Sequence, residues 1–76
     1  MTEQLYKLVV RDATKFETAK RIAFFSHIRI VRGWEEKRTR SLNDEPLLIA
    51  TVYAYPGDVR VWKRAVGANA VSFRKL

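Results

Sequence analysis

The run Leu47–Tyr55 constrains this chain more than any other feature. It is nine residues of apolar, β-branched and aromatic character, and it stops at Pro56-Gly57. Apolar side chains fall on both faces of such a run, which predicts a strand at the centre of a sheet rather than at its rim. Pro presets φ for the first central position of a turn and Gly accepts positive φ at the second. The segment after it, Val59–Val66, is again rich in valine and aromatic residues, so the pair is expected as a β-hairpin.

The other elements follow from their own periodicities. Leu5–Val10 is a short apolar, β-branched run ending at Arg11-Asp12 and predicts a first strand. Phe16, Ala19, Ile22 and Ala23 recur at helical spacing and predict an amphipathic helix of about three turns ending near Phe25-Ser26. Thr14 and Glu17 have capping-box spacing, and Asp12 is a competing N-cap. His27–Trp34 predicts a second strand, in which Gly33 suggests a bulge or bend. Residues 35–46 hold seven charged residues and the turn sequence Asn43-Asp44-Glu45-Pro46, so a long solvated loop or a fraying strand extension is expected there. Gly67-Ala68-Asn69 reads as a turn and Ala70–Arg74 as a last strand. The expected fold class is α+β: one helix packed on one face of a small antiparallel β-sheet of four to five strands, the other face left open.

Length and composition bound the rest. Residues 1–76 are expected as one small basic domain, since 76 residues leave no room for a second. A chain this short buries only about 60–65% of its unfolded surface, so its stability belongs at the low end of the usual range of about 5–15 kcal/mol. There is no cysteine, which excludes a disulfide scaffold and a cysteine-based zinc module. No apolar run approaches the ~20 residues of a membrane span, and no secretory leader is visible, so a cytoplasmic location without membrane contact is expected. The net charge is +7, spread evenly: nine basic and five acidic groups in residues 1–38, six and three in 39–76. With no basic tail, a positive field must come from the folded surface.

With a two-residue hairpin loop, Tyr53 would face Arg60 and Thr51 would face Trp62. Tyr53, Tyr55, Arg60, Trp62 and Arg64 would then share the open face. Aromatic rings stack on bases and arginines pair with phosphates, so this constellation suits nucleic acid. It also suits a protein partner, because Tyr, Trp and Arg are frequent interface anchors. Arg29, Arg32, Lys37, Arg38 and Arg40 form a second basic group, in which 37–40 reads as a phosphate-gripping loop. His27 is the sole histidine, the acids come as adjacent pairs in the 35–46 segment, and the three glycines are scattered. No catalytic or metal-binding constellation emerges, and no cofactor is expected. The chain is thus read as a non-enzymatic module binding nucleic acid or a nucleoprotein complex, with a homodimer through the open face or an edge strand compatible with it.

In size and order of elements, and in the segment Glu17-Thr18-Ala19-Lys20-Arg21-Ile22-Ala23, the chain resembles small phage-encoded proteins that disable host machinery, including anti-CRISPR proteins. That resemblance implies an inhibitor that blocks a host complex by protein–protein contact, with no functional residue carried over. Because this chain is basic, such an inhibitor would meet an acidic protein surface or bound nucleic acid.

Overall fold

The computed structural model describes residues 2–38 and 46–76. Its elements are β1 (Gln4–Val10), a 3-10 turn (Ala13–Lys15), α1 (Phe16–Phe25), β2 (Arg29–Arg38), β3 (Pro46–Ala54), α2 (Pro56–Val66) and β4 (Val71–Lys75). The four strands form one sheet in the order β2-β3-β1-β4, every neighbouring pair antiparallel. β3 lies between β1 and β2, and β1 lies between β3 and β4, so the chain contains two split βαβ units. The predicted α+β class and antiparallel sheet are present, with four strands and two helices rather than one.

Period-two patterning explains the sheet. Tyr6, Leu8 and Val10 of β1 are buried, as are Leu48, Ala50, Val52 and Ala54 of β3 and Val71 of β4. Their neighbours in sequence point to the other face. β3 pairs on both sides, as its apolar character predicts. α1 begins where the 3-10 turn hands over to the apolar stripe. The Thr14 hydroxyl and backbone N–H both donate to Asp12 Oδ1, at 2.7 and 3.0 Å. Asp12 therefore caps the 3-10 turn that leads into α1, while α1 itself starts at Phe16 after Lys15 with no side-chain cap, so the capping box centred on Thr14 does not set the helix start. Phe16, Ala19 and Ala23 are buried and Ile22 packs against the core, as the spacing predicts. His27 follows the helix at φ 57°, the left-handed position that commonly ends helices. It precedes β2 rather than opening it.

The largest correction concerns Val59–Val66, which is helix α2 and not the second arm of a hairpin. Pro56 sits in the first turn, where its missing N–H costs nothing, and Tyr55 before it is extended, with φ −76° and ψ 146°. The Asp58 and Val59 N–H groups both donate to the Tyr55 carbonyl. Asp58 lies in the first turn, and Lys63 and Arg64 in the last, each complementing the helix dipole. Val59, Trp62 and Val66 are buried at helical spacing, whereas Val61 is 57% exposed. The Val59/Val61 alternation that mimics a strand is thus a coincidence of two valines on different faces. Gly67 ends α2 at φ 137°, a value that disfavours any side chain.

β2 is also longer than expected. It runs through residues 35–38, which pair with Ile49, Leu48, Leu47 and Pro46, so of the two readings of 35–46 the strand extension holds there, and the loop, with Lys37 and Arg38 as its phosphate grip, does not. Residues 39–45 of that expected loop lie outside the described residues. Register shifts occur between Ile30 and Arg32 and between Arg32 and Glu35, the second spanning Gly33, where a bulge is predicted.

Both helices cover one face of the sheet, and the core between the layers is centred on Trp62, which is fully buried. Its Nε1 donates to the Ala19 carbonyl oxygen of α1 at 3.0 Å, and its ring centroid lies 6.5 Å from that of Trp34 on β2. Truncating a buried tryptophan costs about 3–5 kcal/mol, most of what a domain this small has. Trp62→Ala is therefore expected to unfold the domain or bring its urea midpoint close to zero. Trp62→Phe should remain folded with a lowered midpoint. Urea titration followed by circular dichroism measures both.

Asp12 gives a second prediction. The Thr14 hydroxyl and N–H, with a smaller contribution from the Lys15 charge, hold its carboxyl below the ordinary value of 3.8. A lowered folded pKa means the cap contributes stability above the unfolded value and loses it as pH falls through the folded one. Asp12→Ala should lower Tm at pH 7, and the gap from the parent should close as the pH drops below about 4. Melts between pH 7 and 2.5 test this.

Candidate functional site: a basic open sheet face

With both helices on one side, the other face of the sheet is open, and the strand register decides what stands on it. Residues paired across strands point to the same face. One row reads Arg74–Lys7–Thr51–Arg32 from β4 to β2, because Lys7 pairs with both Arg74 and Thr51, and Thr51 pairs with Arg32. The row on one side of it reads Ser72–Val9–Ile49–Glu35, and the row on the other reads Leu5–Tyr53–Arg29. Lys7, Arg74 and Arg32 thus come from three different strands and converge on one line. Adjacent strands lie about 4.8 Å apart, so the line is about 14 Å long.

Two shallow recesses lie on this face. The first, about 250 Å³, is lined by Lys7, Arg32, Glu35, Lys37, Thr51 and Arg74, together with Gly33, Ile49, Ala50 and Leu76. The second, about 240 Å³, is lined by Lys7, Val9, Arg11, Ser72, Phe73 and Arg74. Lys7 and Arg74 belong to both and form the wall between them. The lining holds five cations, Lys7, Arg11, Arg32, Lys37 and Arg74, against one carboxylate, Glu35, so the local field is positive. Apolar groups stand among the charges. Leu5 and Leu76 are 39% and 56% exposed, and Val9 and Ile49 are half-buried.

The predicted site residues divide. Tyr53, Arg29, Arg32 and Lys37 do stand on the open face. Arg29 approaches Glu3 at 3.9 Å, which offsets part of its charge. Tyr55 is exposed beyond the end of β3, where it caps α2. Arg38 pairs with Pro46 at the tip of the β2–β3 ladder, one residue out of phase with Lys37. Arg40 lies outside the described residues. Arg60 and Arg64 are exposed on α2, in the opposite layer, and Trp62 is core. The expected face of Tyr53, Tyr55, Arg60, Trp62 and Arg64 therefore does not exist, because it required residues 59–66 to be a strand. A helix places 60 and 64 together on its exposed side and 62 on the opposite, buried side.

Lys7, Arg11 and Arg74 were missed. Their signal lay in the strands themselves: Tyr6, Leu8 and Val10 mark one phase of β1, so Leu5, Lys7, Val9 and Arg11 mark the other. In the same way Val71 and Phe73 leave Ser72 and Arg74 outward.

Among the described residues there is no cluster of three or more His, Cys, Asp or Glu that could hold a metal ion. No helix among them is long and apolar enough to cross a membrane. A separate apolar feature lies in the helix layer, where Phe24 and Phe25 of α1 are 80% and 73% exposed and meet edge to face at 5.3 Å.

The fold is that of a split-βαβ, open-faced α+β domain. In this it is similar to the C-terminal domain of the MgtC protein from Mycobacterium tuberculosis, known from a solution structure. The TM-score is 0.70 over 97% of this chain and 88% of that one, at 14% identity. At that identity the likeness is one of fold. No protein-family model matches the chain, and no curated protein matches it. The likeness to the MgtC domain corrects the resemblance to phage-encoded inhibitors. That resemblance rested on seven helical residues and on an element order with one helix, whereas the MgtC likeness spans nearly the whole chain, α2 included.

The two layers separate the cations cleanly. Arg60→Ala and Arg64→Ala are expected to leave any anion affinity of the open face unchanged, while Lys7→Ala and Arg74→Ala lower it. Titration with inorganic polyphosphate, followed by isothermal calorimetry on the four variants, distinguishes the two surfaces.

Proposed function

We propose that this domain is a binding module that engages nucleic acid through the open face of its sheet. The observation that carries the reading is the row Arg74–Lys7–Arg32, in which three strands contribute cations to one line that itself holds no acidic side chain. Cations brought together without matching acids repel one another, and a phosphate backbone relieves that repulsion while releasing its own condensed counterions. The face supplies what such a partner needs: guanidinium forks for phosphate oxygens, a hydroxyl from Thr51, and apolar surface between them. Chemistry on the bound partner has no support in this arrangement, so the role is one of holding rather than reacting.

The test is the salt dependence of binding. With about four phosphate contacts to a single strand, affinity should fall about 50-fold between 50 and 200 mM salt. Lys7→Ala and Arg74→Ala should each weaken binding and reduce the slope of log K against log salt by about 0.7–0.9, whereas Arg64→Ala should change neither. Fluorescence anisotropy with labelled oligonucleotides reads all of these. A slope untouched by Lys7→Ala and Arg74→Ala would rule out this face as the site.

A further inference from the structure

We infer that the open face selects single-stranded over double-stranded nucleic acid, with neighbouring phosphates taken on either side of the Lys7–Arg74 wall and one base laid on Tyr53. This rests on the nucleic-acid reading above and specifies the ligand for the same site.

Three features of the face point to a single strand. Each recess holds only about 240–250 Å³, and the two share Lys7 and Arg74, so each suits one phosphate with its sugar and both suit adjacent units of one strand. The cation row is a single line, interrupted by Thr51 and flanked along the strands by the apolar Val9, Ile49, Leu5 and Leu76. A duplex presents phosphates outward and hides its bases, so it would leave those apolar groups uncovered. A single strand can lay unstacked bases and sugars against them. Finally, both helices lie on the far side of the sheet, so neither can enter a duplex groove from the open face.

Tyr53 is the aromatic residue of the face. It sits on β3 beside Arg29, one row along from Thr51, half-buried, and no other described ring packs against its own. A base stacked there would lie about 6–7 Å along the strand direction from the cation row. The face has one such platform rather than the two or three that sheet-based RNA readers use, so phosphate contacts carry most of the affinity and sequence preference is weak.

The experiment compares a labelled 12-nucleotide thymidine strand with a 12-base-pair duplex at 50 mM salt, by anisotropy on the intact chain. The single strand should bind at least tenfold more tightly. Tyr53→Ala should weaken single-strand binding about 5- to 150-fold with the salt slope unchanged, and Tyr53→Phe should retain parental affinity. Lys7→Ala should lower the single-strand slope by about 0.7. Circular dichroism of each variant establishes that it is folded. Equal affinity for both forms, tighter duplex binding, or a folded Tyr53→Ala variant that binds like the parent would overturn the single-strand assignment and leave the nucleic-acid reading standing. Binding of neither form at 50 mM salt would overturn both.

Discussion

The helix layer depends on one side chain. The Trp62 indole lies at zero exposure between the layers, donates to a backbone carbonyl in the middle of α1, and faces Trp34 from β2. It ties together three elements that are distant in sequence. An indole N–H buried without an acceptor would carry the full cost of its lost hydration, and the Ala19 carbonyl removes that cost. Ala19 and Ala23 of α1 and Ala50 and Ala54 of β3 are small members of the same core, beside the larger Phe16, Leu48 and Val52. A large ring in a thin core requires small neighbours, because interiors are packed as densely as organic crystals. Moving Trp62 to the surface would leave α1 and α2 without their shared centre.

That packing has a consequence for the opposite face. Both helices are committed to covering the same side of the sheet, and no described element lies on the other. The outward residues of β1, β3 and β4 therefore stay accessible. Because the net charge is +7 and the described ion pairs are few and exposed, much of the excess positive charge remains uncompensated. The sheet order concentrates part of it. Placing β1 beside β4 sets Lys7 against Arg74, and placing β3 between β1 and β2 brings Arg32 into the same row. The basic face is thus a product of topology as much as of composition.

Legibility in the sequence follows the strength of local signals. β1, α1, β3 and β4 carry unambiguous periods bounded by Asp12, Ser26, Pro56 and Gly67, and they fold as read. The segment 59–66 carries competing signals. Val59 and Val61 favour a strand locally, while Pro56, Asp58, Lys63 and Arg64 have the positions of a helix start and finish. Burial of Val59, Trp62 and Val66 together decides for the helix, and tertiary packing of this kind routinely overrides intrinsic preference. The same reversal moves Arg60, Trp62 and Arg64 away from Tyr53 and dismantles the expected aromatic and arginine face. Arg29, Arg32 and Lys37, read from the sequence only as a separate basic group, stand on the open face through the pairing of β2 with β3.

By itself the sequence determined the α+β class, an antiparallel sheet with β3 at its centre, the apolar stripe of α1, the bulge near Gly33 and an excess of positive charge. Each of these is written within about a dozen consecutive residues, as a period, a cap or a count. Only the tertiary structure decided that residues 56–66 form a second helix, that Trp62 is core, and that Lys7, Arg74 and Arg32 stand in one row. Those outcomes depend on which strands are neighbours and on what a side chain buries against. Such pairings join residues up to about 70 positions apart, a distance over which no local pattern carries information.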